Sequence, residues 1–366
     1  MSARRDSQST TPLDGIEVVD LSRLLPGPAC TWFLASMGAR VTKVEEPTAG
    51  DYLRHIPPYD DRGNGAWFAA LNRGKRSVVL DLRQEGQVDT LRTMLTQADV
   101  LVESFRPGVL ARLGLAPQSL IREYPRLIVA SITGYGQDGP MATHPGHDLN
   151  FCGLAGILSL AGRHGGLPDV PGAQVADFAG GALFPALAIC AALYERERTG
   201  KGQWLDLSIT DGVLSLAAPW LAAQAQGHEP VPGAEPLTGG MGIYRIYRCQ
   251  DGGLVALGAI EAKFQDAVRD LVGQDQQLDA ESLAELFATR PRDHWVDQLG
   301  HACLTPVLEL AEVTTHPLHR ARGTIVDHEG ELVFVPGLPG APGRAVGDAP
   351  LHGEHTEAVL AELTRG

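Results

Sequence analysis

The 366-residue chain predicts an α/β protein, with a large Rossmann-like parallel-sheet domain and a smaller α/β domain. Three observations predict this class. Short apolar runs alternate with helical stretches through the first half, the rhythm of parallel strands joined by crossover helices. The length exceeds the usual size of a single hydrophobic core. Past about Ala223 the texture changes, and Gly227–Gly242 is rich in Gly and Pro. The expected division is 1–225 for the large domain, with 325–366 returning to it, and 226–324 for the small one.

Ile16–Leu21 reads as the first strand, followed by a helix rich in Ala, Leu and Met after Pro28 and a second strand at Val41–Glu45. Val78–Leu82 reads as a third strand, then come a helix from about Arg83 to Ala98 and a strand at Val100–Ser104. Leu127–Thr133 is a fifth strand, ending at Gly134. Apolar spacing predicts a helix over Leu149–Leu160 with Asp148 as its N-cap. A longer helix runs from Gly181 to Arg198 and stops at Gly200, and Trp204–Ile209 resumes a strand. In the smaller domain Ile243–Cys249 and Leu254–Ile260 read as strands, followed by helices to about Leu310. The end, from Phe334 on, is rich in Gly, Pro and His and either packs back on the large domain or trails off.

Composition narrows the function. The chain is 44% apolar and 20% charged, ordinary values for a soluble globular protein. Its net charge of −14 argues against general nucleic-acid binding, yet a few local cations can still hold a polyanionic small ligand. Cys30, Cys152, Cys190, Cys249 and Cys303 are scattered with no CxxC pair, which suits a reducing cytoplasm. The polar start lacks an apolar signal core and reads as a flexible tail, and no run approaches 18 apolar residues, so no membrane span is expected. The loop Ser22–Pro28 lacks GxGxxG where a dinucleotide fingerprint should lie, which disfavours a nicotinamide enzyme. His144 and His147 form an HxxH, as do His316 and His319, but without a carboxylate or cysteine cluster no metal site is expected.

The chemistry centres on Pro145-Gly146-His147-Asp148-Leu149-Asn150, with two distant companions, Val175–Gly181 and Gly258–Glu261. Removing a proton from one face of a carbon and returning it to the other needs two bases. His147 and Asp177 both precede apparent helices, whose N-termini should lower the pKa of each. A carboxylate beside His147 would restore an acid to the pair, and Glu261 is the candidate. The rival readings are that Asp177 merely caps its helix and that Glu261 is surface polarity.

These segments carry a resemblance. The chain resembles the α-methylacyl-CoA racemases within the family III CoA-transferase (CaiB/BaiF-type) superfamily. The resemblance runs from about Leu13 to Thr324, through Asp20–Pro28, Glu103–Gly108, Gly134–Pro140, the GHD and ADFxGG segments, Arg198–Gln203 and Gly258–Glu261. It implies that His147 and Asp177 exchange the α-proton of a 2-methylacyl-CoA thioester while Glu261 supports His147. It also implies that Arg106 and Lys43 bind CoA, with Arg73, Lys75 and Asp148 as further CoA contacts. Amides near Gly180 and Gly181 would help hold the enolate oxygen, unless those glycines serve only tight packing. No cofactor is expected beyond the CoA that the substrate carries. The assembly implied is an interlocked homodimer, with cytoplasmic localisation and neither a nucleic-acid nor a membrane partner. The transferase branch stays open: it places a nucleophilic aspartate at the position of Asp177, and Asn72–Arg76 resembles its pattern. The acyl group is not legible.

Overall fold

A computed structural model describes residues 11–162, 165–273, 277–328, 330–336 and 347–364. Residues 1–10, expected as a tail, and 337–346 of the returning segment lie outside the described residues. The chain divides into two compact units, one of residues 1–155, 172–216 and 318–366, the other of 156–171 and 217–317. The expected boundaries at 225 and 324 are thus each replaced by earlier ones, and a short piece before Asp177 joins the second unit.

The main sheet of the first unit has six strands among the described residues: β1 (Glu17–Asp20), β2 (Arg40–Glu45), β3 (Arg76–Val79), β4 (Val100–Glu103), β5 (Ile128–Thr133) and β6 (Trp204–Ser208). All pair in parallel, in the order β3-β2-β1-β4-β5-β6. β4 and β5 are buried along their whole lengths, which is why they read as continuous apolar runs. The order reverses between β1 and β4, and a sheet of this kind offers its crevice beyond the carboxyl ends of the strands there. One side of the sheet is filled by Val19, Val78, Leu91, Leu101, Leu120 and Val129, packed with their neighbours into a single cluster.

Near Asp177 the helix differs from the expected one. It starts at Ala176, five residues before Gly181, and its first part, Ala176–Leu183, is a π-helix that continues as the α-helix Phe184–Thr199. Gly200, at φ 73°, ends it as expected. By length and composition Ala176–Thr199 is apolar enough to cross a membrane, contrary to expectation, but half of that window is buried in the protein. Leu183, Phe184, Leu187 and Tyr194 leave an apolar face exposed.

The returning segment closes the β3 edge of the sheet. Arg54 Nη1 donates to Pro350 O at 2.9 Å, His355 N to Ser77 O at 2.9 Å, and Val79 N to Thr356 Oγ1 at 3.0 Å. Arg76 pairs with Glu362 at 2.7 Å. An edge strand covered in this way has few free backbone groups left for another chain.

In the second unit β7 (Tyr244–Arg248), β8 (Leu254–Gly258) and β9 (Leu304–Val307) form an antiparallel sheet. Its core is Tyr247, Val255, Leu283, Phe287, Trp295 and Leu299. The hairpin β10 (Ile325–His328) and β11 (Glu331–Phe334) belongs to the first unit.

Candidate active site

Two features of the first unit meet along Ser22–Pro28, a loop that runs into the helix Pro26–Ser36. At one end, beyond the carboxyl ends of β1 to β4, lies a cleft of about 400 Å³ whose lining includes Ser22, Arg23, Tyr52, Asp81, Arg83 and Phe105. At the other end Pro26 abuts the π-helix so closely that a Cβ added at Gly181 would lie 2.6 Å from the proline Cβ. Leu24, between them, takes the left-handed φ of 65°, and its amide donates to Asp51 Oδ1 at 3.1 Å. A non-glycine residue held there stores roughly 1–3 kcal/mol, a kind of strain that clusters at ligand sites.

Arg106 lies in the loop after β4, exposed, next to the cleft residue Phe105. Its guanidinium has no ion-pair partner among the described residues. Arg23 and Arg83 join it as cations at this rim. Arg23 Nη1 donates to the Tyr52 hydroxyl at 3.1 Å, and Arg83 pairs with Asp81 at 2.7 Å. The sequence reading missed both, although each follows a strand end just as Arg106 does.

The lysines differ from expectation. Lys43 is wholly buried, donating to Ser22 O at 2.7 Å and paired with Asp51 at 3.0 Å. Burial would lower its pKa, but Asp51, Asp20 and Glu45 outweigh that and hold it above its ordinary value. Lys75 Nζ donates to Pro28 O at 2.9 Å, Thr31 Oγ1 at 2.7 Å and Asn72 Oδ1 at 2.9 Å, beside Asp20 at 3.4 Å. Burial pushes Lys75 down to about 8. Arg73 is almost covered and pairs with Glu331 and Asp348. All three cations are buried and held in internal ion pairs, although Lys43 also lines the cleft.

The proton-transfer candidates gather at two helix starts. His147 is exposed and is itself the N-cap of the helix Asp148–Leu154, one residue earlier than the expected cap and with an earlier end. Its amide donates to Asn150 Oδ1 at 3.0 Å. Gly146 must be glycine here, because a Cβ would lie 2.4 Å from the Tyr135 hydroxyl and 2.7 Å from Phe151. Asp148 Oδ1 accepts the Asp177 amide at 2.9 Å, and Oδ2 accepts the Cys152 thiol at 3.7 Å. Both oxygens of Asp148, a CoA contact by resemblance, therefore hold internal donors.

Burial, and then the Asp148 charge, push the Asp177 carboxyl up to about 7. The expected lowering by the helix N-terminus is overturned, since desolvation of the charged form is the larger effect. Gly180 and Gly181 also resolve to packing. A Cβ on Gly180 would sit 2.3 Å from Ile209 O, so these glycines let the π-helix approach the helix Ile209–Leu214 and Pro26. Glu261 belongs to the second unit, where it is the exposed N-cap of the helix Ala262–Val272.

A buried acid outside the sequence reading sits at the end of β4. Glu103 accepts the Phe105 amide at 2.8 Å, and burial pushes its carboxyl up to about 7, opposed by its hydrogen bonds and assisted by Asp206. It underlies the loop that carries Arg106. Among the described residues no group of three or more His, Cys, Asp or Glu side chains could hold a metal ion.

Comparison with known proteins gives these features a common context. A family profile described as CoA-transferase family III matches residues 13–356. The chain is 37% identical over 375 residues to the α-methylacyl-CoA racemase of Homo sapiens, covering 96% of this chain and 93% of that protein. It is also 34% identical over 351 residues to the acetyl-CoA:oxalate CoA-transferase of Acetobacter aceti, covering 90% and 88%. Among solved structures, a CAIB/BAIF family protein from Brucella suis superposes with a TM-score of 0.86 at 32% identity, covering 97% of this chain and all of that one. With both chemistries represented among relatives that match along nearly its whole length, the chain belongs to CoA-transferase family III and is an enzyme of that family.

Proposed function

We propose that this enzyme interconverts the (R) and (S) forms of 2-methylacyl-CoA thioesters by two-base transfer of the α-proton, with Asp177 and His147 as the bases. One observation carries the reading. The bond from the Asp177 amide to Asp148 joins the two helix starts, and the carboxyl so held is pushed to about 7. A group that titrates near the operating pH both gives and takes a proton efficiently, contributing roughly 10²- to 10⁴-fold. The CoA thioester acidifies the α-carbon and comes with the substrate, so no separate cofactor is invoked. The cleft lined by Arg23 and Arg83, with Arg106 next to its lining residue Phe105, supports binding of the CoA phosphates and nucleotide. The exposed apolar face of Leu183, Phe184, Leu187 and Tyr194 supports a homodimer, which light scattering at low micromolar concentration would test.

A transferase reading is favoured by relatives such as the acetyl-CoA:oxalate CoA-transferase of Acetobacter aceti. In it the Asp177 carboxylate attacks the thioester carbonyl and expels CoA thiolate, giving an acyl anhydride; the thiolate then attacks the aspartyl carbonyl, releasing the carboxylic acid and leaving a CoA thioester on Asp177. One assay separates the two: incubation of a single 2-methylacyl-CoA enantiomer in D₂O without any free acid acceptor. Deuterium at the α-carbon with loss of optical purity supports the racemase. A hydroxylamine-sensitive acyl group on Asp177, with no deuterium incorporated, overturns it.

A further inference from the structure

We propose that Asp148 is a positioning residue for Asp177, anchoring the first turn of the π-helix through the Asp177 amide and setting the protonation of the neighbouring carboxyl. This rests on the assignment of Asp177 to proton transfer, and it gives Asp148 a task other than binding CoA. The geometry is specific. Asp148 is the first residue of its helix, and Oδ1 accepts the Asp177 amide at 2.9 Å across 29 residues of sequence. One turn along, the buried Cys152 thiol donates to Oδ2 at 3.7 Å, which steadies the carboxylate from the other side. An ionised acceptor makes a stronger bond to a backbone amide than a neutral one. The same charge stands beside the Asp177 carboxyl and disfavours a second ionisation there.

Other titratable groups lie on the elements packed against the π-helix. They are Cys30 on the helix Pro26–Ser36, Cys152 beside Asp148, Asp206 in β6 and Asp211 on the helix Ile209–Leu214. Cys190, Tyr194 and the charged run Glu195–Arg198 lie on the continuing α-helix. Of all these, Asp148 is the charged group that acts on Asp177, after burial itself.

In two-base proton transfer the consequence is directional. When Asp177 removes the proton, activity fails below its titration point. When Asp177 supplies the proton, activity fails above it. Asp148 raises that point, so both limbs should move together to lower pH when its charge is removed.

The test uses the full-length protein and the variant Asp148→Asn, whose amide oxygen still accepts the Asp177 amide. Aspartate ¹³C-labelled at Cγ is followed by NMR through a pH titration, and the Asp177 signal is identified by its loss in Asp177→Asn. The expected midpoint is near 7 in the parent and about one pH unit lower in Asp148→Asn. The kcat profiles in the two directions should shift likewise, with KM for the thioester changed by less than about twofold. An unmoved midpoint, or a raised KM with unmoved limbs, overturns the proposal and returns Asp148 to substrate binding. The NMR readout needs no turnover: a midpoint lowered in Asp148→Asn, with a parent enzyme that itself fails to racemise, supports Asp148 as the tuning group while rejecting the racemase reading.

Discussion

Replacing Asp177 with Asn should abolish catalysis and yet stabilise the ligand-free protein in alkaline solution. The carboxyl is moved from an ordinary 3.8 to about 7 by burial and the Asp148 charge. Its folded-state value therefore lies above the unfolded one, so the stability associated with its proton is present below about pH 4. That stability is lost as the pH rises through 7. A gap of about 3 units is worth up to about 4 kcal/mol at 1.36 kcal/mol per unit. Asp177 keeps some access to solvent, so screening reduces this to about 2 kcal/mol. Asparagine has the same shape and no charge to desolvate. Urea unfolding at pH 4.5 and pH 8 should show the Asp177→Asn variant gaining on the parent as pH rises, by about 2 kcal/mol overall. In a thermal scan at pH 8 that is roughly 4–8 °C. A difference between the two proteins that stays flat with pH, or a variant less stable than the parent at pH 8, would refute the argument from burial.

Glu103→Gln should behave similarly, because burial also raises this carboxyl to about 7. Its urea midpoint should fall less between pH 5.5 and pH 8 than the parent's, and equal slopes would show that Glu103 is ionised without penalty. Arg106→Ala should raise KM for CoA thioesters about ten- to 150-fold with little change in kcat, as expected for one charge-assisted phosphate contact; unchanged KM and unchanged inhibition by free CoA would remove Arg106 from the site. Lys75→Met should destabilise the protein by about 3–5 kcal/mol, because it leaves the buried Asp20 without one of its cations, and a loss below about 1 kcal/mol in urea would show that Lys43 suffices.

Much of the sheet was legible because its strands are buried on both faces and read as apolar runs. β3 is the instructive departure. The run Val78–Leu82 drew the strand too late, whereas it begins at Arg76 and includes Ser77, a buried polar residue whose hydroxyl donates to Glu45 at 2.6 Å. Local pattern cannot show a partner 32 residues away. The same blindness applied to Lys43 and Lys75, expected by resemblance as CoA contacts but buried against Asp51 and Asp20. Gly180 and Gly181 were expected either to offer amides to the enolate oxygen or to serve tight packing at a helix start. They lie inside a helix where Ile209 and Val213 leave no room for a Cβ on Gly180, and Pro26 none on Gly181, a constraint that exists only once the helices are packed. His147 and Asp177 were singled out by their residue types and contexts. The titration of Asp177 could not be, because a helix N-terminus is a local property and burial belongs to the whole fold.

The returning segment ties the first unit to the order of synthesis. A ribosome releases residues 217–317 of the second unit before residues 318–366, which complete the first. While 347–364 are still inside the exit tunnel, Arg54, Ser77 and the β3 edge lack the partners that the finished protein gives them. The unit bearing the cleft is thus completed after the second unit, although its strands emerge first, and during that interval its β3 edge is open to pairing with another chain.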